Sequence, residues 1–225
     1  MSTRDENVTA SFKVTSFINR NRIAIIGVLI CFCIAIVGII VSSKIISSTK
    51  DKSLSKIEEI YFTLCDGSST LEVEEIEARQ NDALEALSSY TSKGGIVGAR
   101  ANLLCADISY QMEKYEDAAN YYNAVAKKAK GNYLYAIAMY NLGVMNEQLG
   151  KTQEASENYK NAFEAKDCLF KSHAGFSYGR TLEALENYAD AVAVYQKVID
   201  ANPTESWAKL SKTRVIALQA EKKAE

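Results

Sequence analysis

Residues 140–163 read YNLGVMNEQLGKTQEASENYKNAF, helix-forming text interrupted by two glycines. A glycine inside a helix costs roughly 0.5–1 kcal/mol relative to alanine, so each one needs a physical reason. Gly150 follows the last apolar position of its segment, where a residue in the left-handed conformation ends a helix and starts a turn. Gly143 lies mid-segment, and only the close approach of another helix offsets its cost. One glycine reads as a contact and the other as a stop.

The same arrangement recurs on both sides. LLCADISYQMEKYEDAANYYNAV starts at Leu103, MYNLGVMNEQLGKTQEASENYKNAF at Met139, and GFSYGRTLEALENYADAVAVYQKVIDANP at Gly175. Their small residues Ala106, Gly143 and Gly179 are separated by 37 and 36 positions. Ala118, Ala155 and Ala191 repeat that separation, and so do Tyr122, Tyr159 and Tyr195. A fixed period of this size means stacked copies of one supersecondary unit. Glu113 and Glu186 stand where Gly150 stands, so a different turn closure is expected in those two units.

These positions resemble the tetratricopeptide repeat (TPR), a helical hairpin with a small residue in helix A and an alanine followed by an aromatic in helix B. Leu142, Gly143, Ala155, Tyr159 and Ala162 match it in the second unit, and Tyr178, Gly179, Ala191, Tyr195 and Pro203 in the third. Cys105 and Ala106 make the first unit weaker. The resemblance implies an all-α solenoid whose helix A residues line a groove for partners. Units are expected at 99–132, 136–169 and 172–203. Chaperone-binding members grip a terminal carboxylate with basic and asparagine side chains. Of the matching positions Leu103, Asp107, Asn141, His173 and Ser177, only Asn141 agrees, so that clamp is absent.

Residues 54–95 read as a degenerate hairpin that precedes the repeats. Its second helix has two candidate N-caps, Ser69 and Thr70. Ser69 is favoured because Glu72 would complete a capping box. Gly94 and Gly95 are expected to end that helix. Residues 204–225 supply Trp207, Leu210, Ser211 and Ile216, a helix A without its partner and hence a capping helix.

Further upstream, residues 23–41 form an apolar run of nineteen residues without a charge, nearly long enough to cross a hydrocarbon core of roughly 30 Å. A single uncleaved transmembrane helix is expected there, between a tail at 1–22 and a juxtamembrane linker at 42–53. A cleaved signal peptide would have a shorter core and a small-residue cleavage site. Lys13, Arg20 and Arg22 on one side and Lys44, Lys50, Lys52 and Lys56 on the other do not decide the orientation. The two arginines beside the run favour a cytoplasmic N-terminus. Gly27, Cys31 and Ala35, at four-residue spacing, could let two spans approach each other.

Charge and composition narrow the function. Residues 1–56 hold eight Lys/Arg against three Asp/Glu, and residues 57–225 hold eighteen against twenty-five. An acidic domain behind a basic stub is not a nucleic-acid binder. One histidine, three scattered cysteines outside the apolar run and no phosphate-binding glycine loop give no basis for catalysis, a cofactor or a metal site. The expected functional surface is the helix A groove: Leu103, Asp107 and Tyr110, then Tyr140, Asn141, Val144 and Glu147, then His173, Phe176, Ser177 and Arg180.

The whole layout resembles the YfgM-type family of bacterial inner-membrane proteins, with the closing helix WAKLSKTRVIAL as part of the likeness. That resemblance implies a non-enzymatic scaffold with an extracytoplasmic TPR domain. Its partners would be the Sec translocon or envelope chaperones. The alternative keeps the anchor and turns the domain to the cytosol, as in an organellar import receptor.

Overall fold

The structure, a computed structural model, describes the backbone of residues 3–221 and 223; side-chain surroundings are described for residues 20–22, 31–68, 70–221 and 223. Met1 and Ser2 of the expected tail lie outside the described residues, and so do the surroundings of Gly27 and Ser69. Among the described residues there is no strand. The α-helices are α1 (Thr3–Cys65), α2 (Val73–Thr91), α3 (Gly95–Gln111), α4 (Tyr115–Lys128), α5 (Tyr133–Gln148), α6 (Thr152–Glu164), α7 (Lys171–Ala184), α8 (Tyr188–Ala201) and α9 (Ser206–Ala220), with a short 3-10 helix at Ser68–Thr70. The chain divides into two compact units, residues 1–52 and 53–225, and α1 contributes to both.

In the first unit, α1 has a non-helical residue at Asn21 (φ −112°, ψ 15°), just ahead of the apolar run. Residues 42–53, expected as a linker, are helical. No glycine or proline interrupts them, and their hydroxyls bond back one turn. Ser42 donates to the Gly38 carbonyl at 2.7 Å and Thr49 to the Ile45 carbonyl at 3.0 Å. One segment, Cys31–Cys65 among the described residues, is long and apolar enough to cross a membrane by length and composition.

In the second unit the helices stack in sequence as antiparallel pairs. The end of α1 packs with α2 and α3 around Ile57, Leu87, Leu104 and Ile108. Next, α3, α4 and α5 enclose Ala106, Ala118, Tyr122, Val125 and Met145. At the far end, α7, α8 and α9 enclose Leu182, Val194, Tyr195 and Leu218. The glycine contact takes a specific form. A Cβ on Gly143 would come within 2.6 Å of the Tyr159 ring, and one on Gly179 within 2.5 Å of the Tyr195 ring. What presses on each glycine is the repeat's own tyrosine, sixteen residues along and essentially buried.

One expectation about the turns holds and one changes. Gly150 does end α5 in the left-handed region, at φ +70°. Glu113 and Glu186 take the same conformation, at φ 58° and 60°, rather than a different closure. Each is held by the same hydrogen-bond pair. Lys114 N donates to Ser109 O and Glu113 N to Tyr110 O; the set is repeated at Lys151/Gly150 and at Asn187/Glu186. This six-to-one and five-to-two pattern is the Schellman closure, and its bonds hold a non-glycine residue there against roughly 1–2 kcal/mol of left-handed strain.

Helix α2 begins later than expected, with Glu72 as its N-cap and no side-chain cap bond. Thr70 instead donates to the Gly67 carbonyl within the 3-10 turn. The helix ends at Ser92, ahead of Gly94 and Gly95, and Gly95 (φ +59°) opens α3. On α9, Trp207 and Ser211 turn inward whereas Leu210 and Ile216 are exposed.

Candidate functional site

The helix A residues divide into three environments. Leu103 is not on the groove. It is 8% exposed and packs in the core between α3, α4 and α5. Tyr140 and Phe176 are taken up by the far end of the stack. The Tyr140 ring lies 5.2 Å from Tyr159, 5.4 Å from Phe170 and 4.8 Å from His173. Its hydroxyl shares a hydrogen bond of 2.7 Å with His173 Nε2, and Ser177 Oγ lies 3.4 Å away. His173 stacks on Trp207 at 3.9 Å, and Phe176 lies 5.3 Å from the same indole. Burial lowers the His173 pKa from its ordinary value. This aromatic column joins α5 and α7 to the capping helix, so packing accounts for these residues.

Arg180 is engaged as well. Its guanidinium donates to Glu147 Oε2 at 2.6 Å, and the Tyr159 hydroxyl donates to the same oxygen at 2.6 Å. One repeat further on, Arg214 and Tyr195 both donate to Glu183. Each carboxylate thus ties its own helix B tyrosine to an arginine on the next helix A. Burial opposes ionisation of both acids, but the bonds from arginine and tyrosine outweigh it and hold Glu147 and Glu183 below the usual carboxylate range.

The α3/α5 junction lacks this brace. By the repeat spacing, Tyr110 occupies the place of Glu147 and Glu183, and Val144 occupies the place of Arg180. Ala106 carries a Cβ where the other units have glycine, and the Tyr122 hydroxyl reaches one turn back to Asp107 Oδ1 at 2.6 Å. Without a bridging pair the junction opens into a cavity of about 690 Å³. Asp107, Tyr110, Asn141 and Val144, four of the residues expected on the helix A surface, line it together. Tyr61 from α1 and Gln80 from α2 also line it; nothing in the repeat pattern marked them, because they come from the preceding hairpin.

The polar groups of this cavity are not all satisfied within the chain. Gln80 Nε2 donates to Gln111 Oε1 at 3.3 Å. Asn141 lines the same cavity, and no side-chain hydrogen bond engages its carboxamide among the described residues. A carboxamide offers a donor and an acceptor, the pair that a peptide group needs. Burial raises the Asp107 pKa despite the Tyr122 bond. Among the described residues no group of His, Cys, Asp and Glu is arranged to hold a metal ion.

Fold and groove define a class: a solenoid of helical hairpins that serves as a protein-interaction scaffold. Residues 103–160 and 148–206 match the family model "Tetratricopeptide repeat", and this part of the chain is a TPR array. A "TPR repeat-containing protein" of Treponema pallidum (strain Nichols) is 30% identical over 146 residues, covering 64% of this chain and 61% of that protein. The match therefore spans less than two thirds of the relative's length. Among solved structures the chain is similar to "Crystal structure of MamA protein", with TM-score 0.45, 20% identity and coverage of 68% of this chain and 84% of that one. It is also similar to "Crystal structure of BtubC (BKLC) from P. vanneervenii", with TM-score 0.41, 13% identity and coverage of 78% and 91%.

Proposed function

We propose that this chain is a membrane-anchored TPR scaffold that receives an extended polypeptide segment in the α3/α5 groove. The repeat unit works on the extracytoplasmic side of a bacterial inner membrane, in protein export or envelope assembly, with the Sec translocon or envelope chaperones as partners. The observation that carries the binding reading is the open junction itself. It has the size of a ligand cavity, aromatic walls and an unengaged carboxamide, whereas the two later junctions are closed by their own side chains. The anchor is supported by α1, where Phe32, Ile34, Val37, Ile39 and Ile40 all stand exposed. Leaving five such side chains in water would cost on the order of 10 kcal/mol.

The topology test is protease digestion of whole cells against cells with a permeabilised outer membrane. Cleavage of the repeat unit on outer-membrane permeabilisation alone is the expected result. Protection until the inner membrane is broken would place the unit in the cytosol and sink the export reading. The binding test is crosslinking from a photoreactive residue at position 141 in cells, with the same residue at position 176 as control. Adducts to exported or envelope polypeptides should form from 141 and not from 176.

A further inference from the structure

We infer that the α3/α5 groove selects a lysine or arginine side chain within the segment it receives, with Asp107 as its counter-ion and Tyr61, Tyr110 and Tyr122 as its aromatic walls. This rests on the groove being the binding site, and it adds the chemistry that site recognises.

The lining of the groove holds one charged group, Asp107, and no lysine or arginine. One Asp107 oxygen takes the Tyr122 hydroxyl. The other accepts no hydrogen bond among the described residues. Arg100 is the cation whose field reaches this carboxylate, but it is occupied elsewhere, donating to both oxygens of Glu58 at 2.7 and 3.0 Å. Asp107 is therefore a half-buried carboxylate with a tyrosine partner and no cation bonded to it, an arrangement that an entering cation relieves and an entering anion worsens. Tyr110 and Tyr122 line the same space and add aromatic surface that attracts a cation, while the Arg100 guanidinium already lies 5.6 Å from the centroid of the third ring, Tyr61.

The rest of the chain supplies an internal precedent. In both later junctions a helix A carboxylate holds a helix B tyrosine and an arginine together. The first junction keeps the tyrosine and a carboxylate, Tyr122 and Asp107, and has valine where the second has arginine. The ligand brings the cation that Arg180 and Arg214 supply elsewhere. A cavity of about 690 Å³ has room for one such side chain and its flanking backbone.

The test uses the full chain in detergent micelles and four labelled, unstructured peptides, identical except for a central lysine, arginine, methionine or glutamate, with anisotropy as the readout. The lysine and arginine peptides should bind about tenfold tighter than the methionine peptide, and the glutamate peptide weakest. Asp107→Asn should bring the lysine peptide down to the level of the methionine peptide. Equal binding of lysine and methionine peptides by the unmodified chain overturns the selectivity while leaving the groove reading intact. Failure of all four peptides to bind overturns both. A lysine preference that survives in Asp107→Asn removes Asp107 from the account.

Discussion

The α5/α7 and α3/α5 junctions are built from the same hairpin and end in opposite states. At α5/α7 a glycine admits the tyrosine ring, the ring's hydroxyl fixes Glu147, and Glu147 holds Arg180 of the next repeat. At α3/α5 an alanine stands at the glycine's place, the hydroxyl goes to Asp107, and Tyr110 and Val144 line an open cavity. The carboxylates that hold the tyrosines at these two junctions shift in opposite directions, Glu147 downward and Asp107 upward: burial raises both, but only Glu147 accepts a hydrogen bond from an arginine. Under the proposed function the array separates its tasks by position: the braced junctions hold the stack together, and the unbraced one is the surface offered to a partner.

The largest expected effect attacks the shared feature. Gly143→Ala should destabilise the repeat unit by about 2 kcal/mol, because the added Cβ meets a buried ring at 2.6 Å. Helix propensity alone predicts the opposite sign, a gain of roughly 1 kcal/mol. Thermal unfolding decides between them, and a rise in Tm would mean that the ring yields freely and the contact is unimportant.

Charge removal comes next and should separate the junctions. Glu147→Gln should cost about 1–2 kcal/mol by weakening bonds to Tyr159 and Arg180, whereas Asp107→Asn should leave stability unchanged or raised at neutral pH. Their pH dependences run in opposite directions. The depressed pKa values of Glu147 and Glu183 give stability that is present above the ordinary carboxylate value and lost as pH falls through the folded value. The raised Asp107 pKa gives a contribution fully present below its ordinary value and lost as pH rises through the folded one. Denaturant titrations between roughly pH 5 and pH 3 should show Glu147→Gln losing less stability on acidification than the unmodified chain, and Asp107→Asn losing more. Parallel curves for all three proteins would erase the distinction.

A smaller effect tests the turns. Glu113→Gly and Glu186→Gly should each stabilise by about 0.5–1 kcal/mol, since glycine relieves the left-handed strain at φ 58° and 60° and gives back part of it as chain entropy. A loss of stability would show that the glutamate side chains, and not the turn bonds, hold those corners.

The repeat was legible because a close helix crossing dictates small residues at fixed intervals, and Ala106, Gly143 and Gly179 record that spacing directly. The stop at Gly150 was legible for a similar reason. Its equivalents at Glu113 and Glu186 were not, because backbone hydrogen bonds hold the strained conformation there and leave no mark on residue type. The groove was half legible. Helix A phase groups Asp107, Tyr110, Asn141 and Val144, and the structure places all four along one cavity. That phase could not say that Trp207, on the capping helix beyond the third hairpin, would cover His173 and Phe176. Aligned with Glu147 and Arg180, the first junction reads tyrosine and valine, so the missing brace is visible in the aligned repeats alone.

That missing brace can be put back. Tyr110→Glu combined with Val144→Arg transplants the Glu147–Arg180 pair into the α3/α5 junction and should change stability by less than about 1 kcal/mol. Its effect on the affinity of the full chain for the lysine-bearing peptide is the most direct measurement of whether the open junction is the receiving site. The account predicts a loss of at least tenfold with the helical fold intact by circular dichroism. Unchanged affinity in a folded double variant would contradict it.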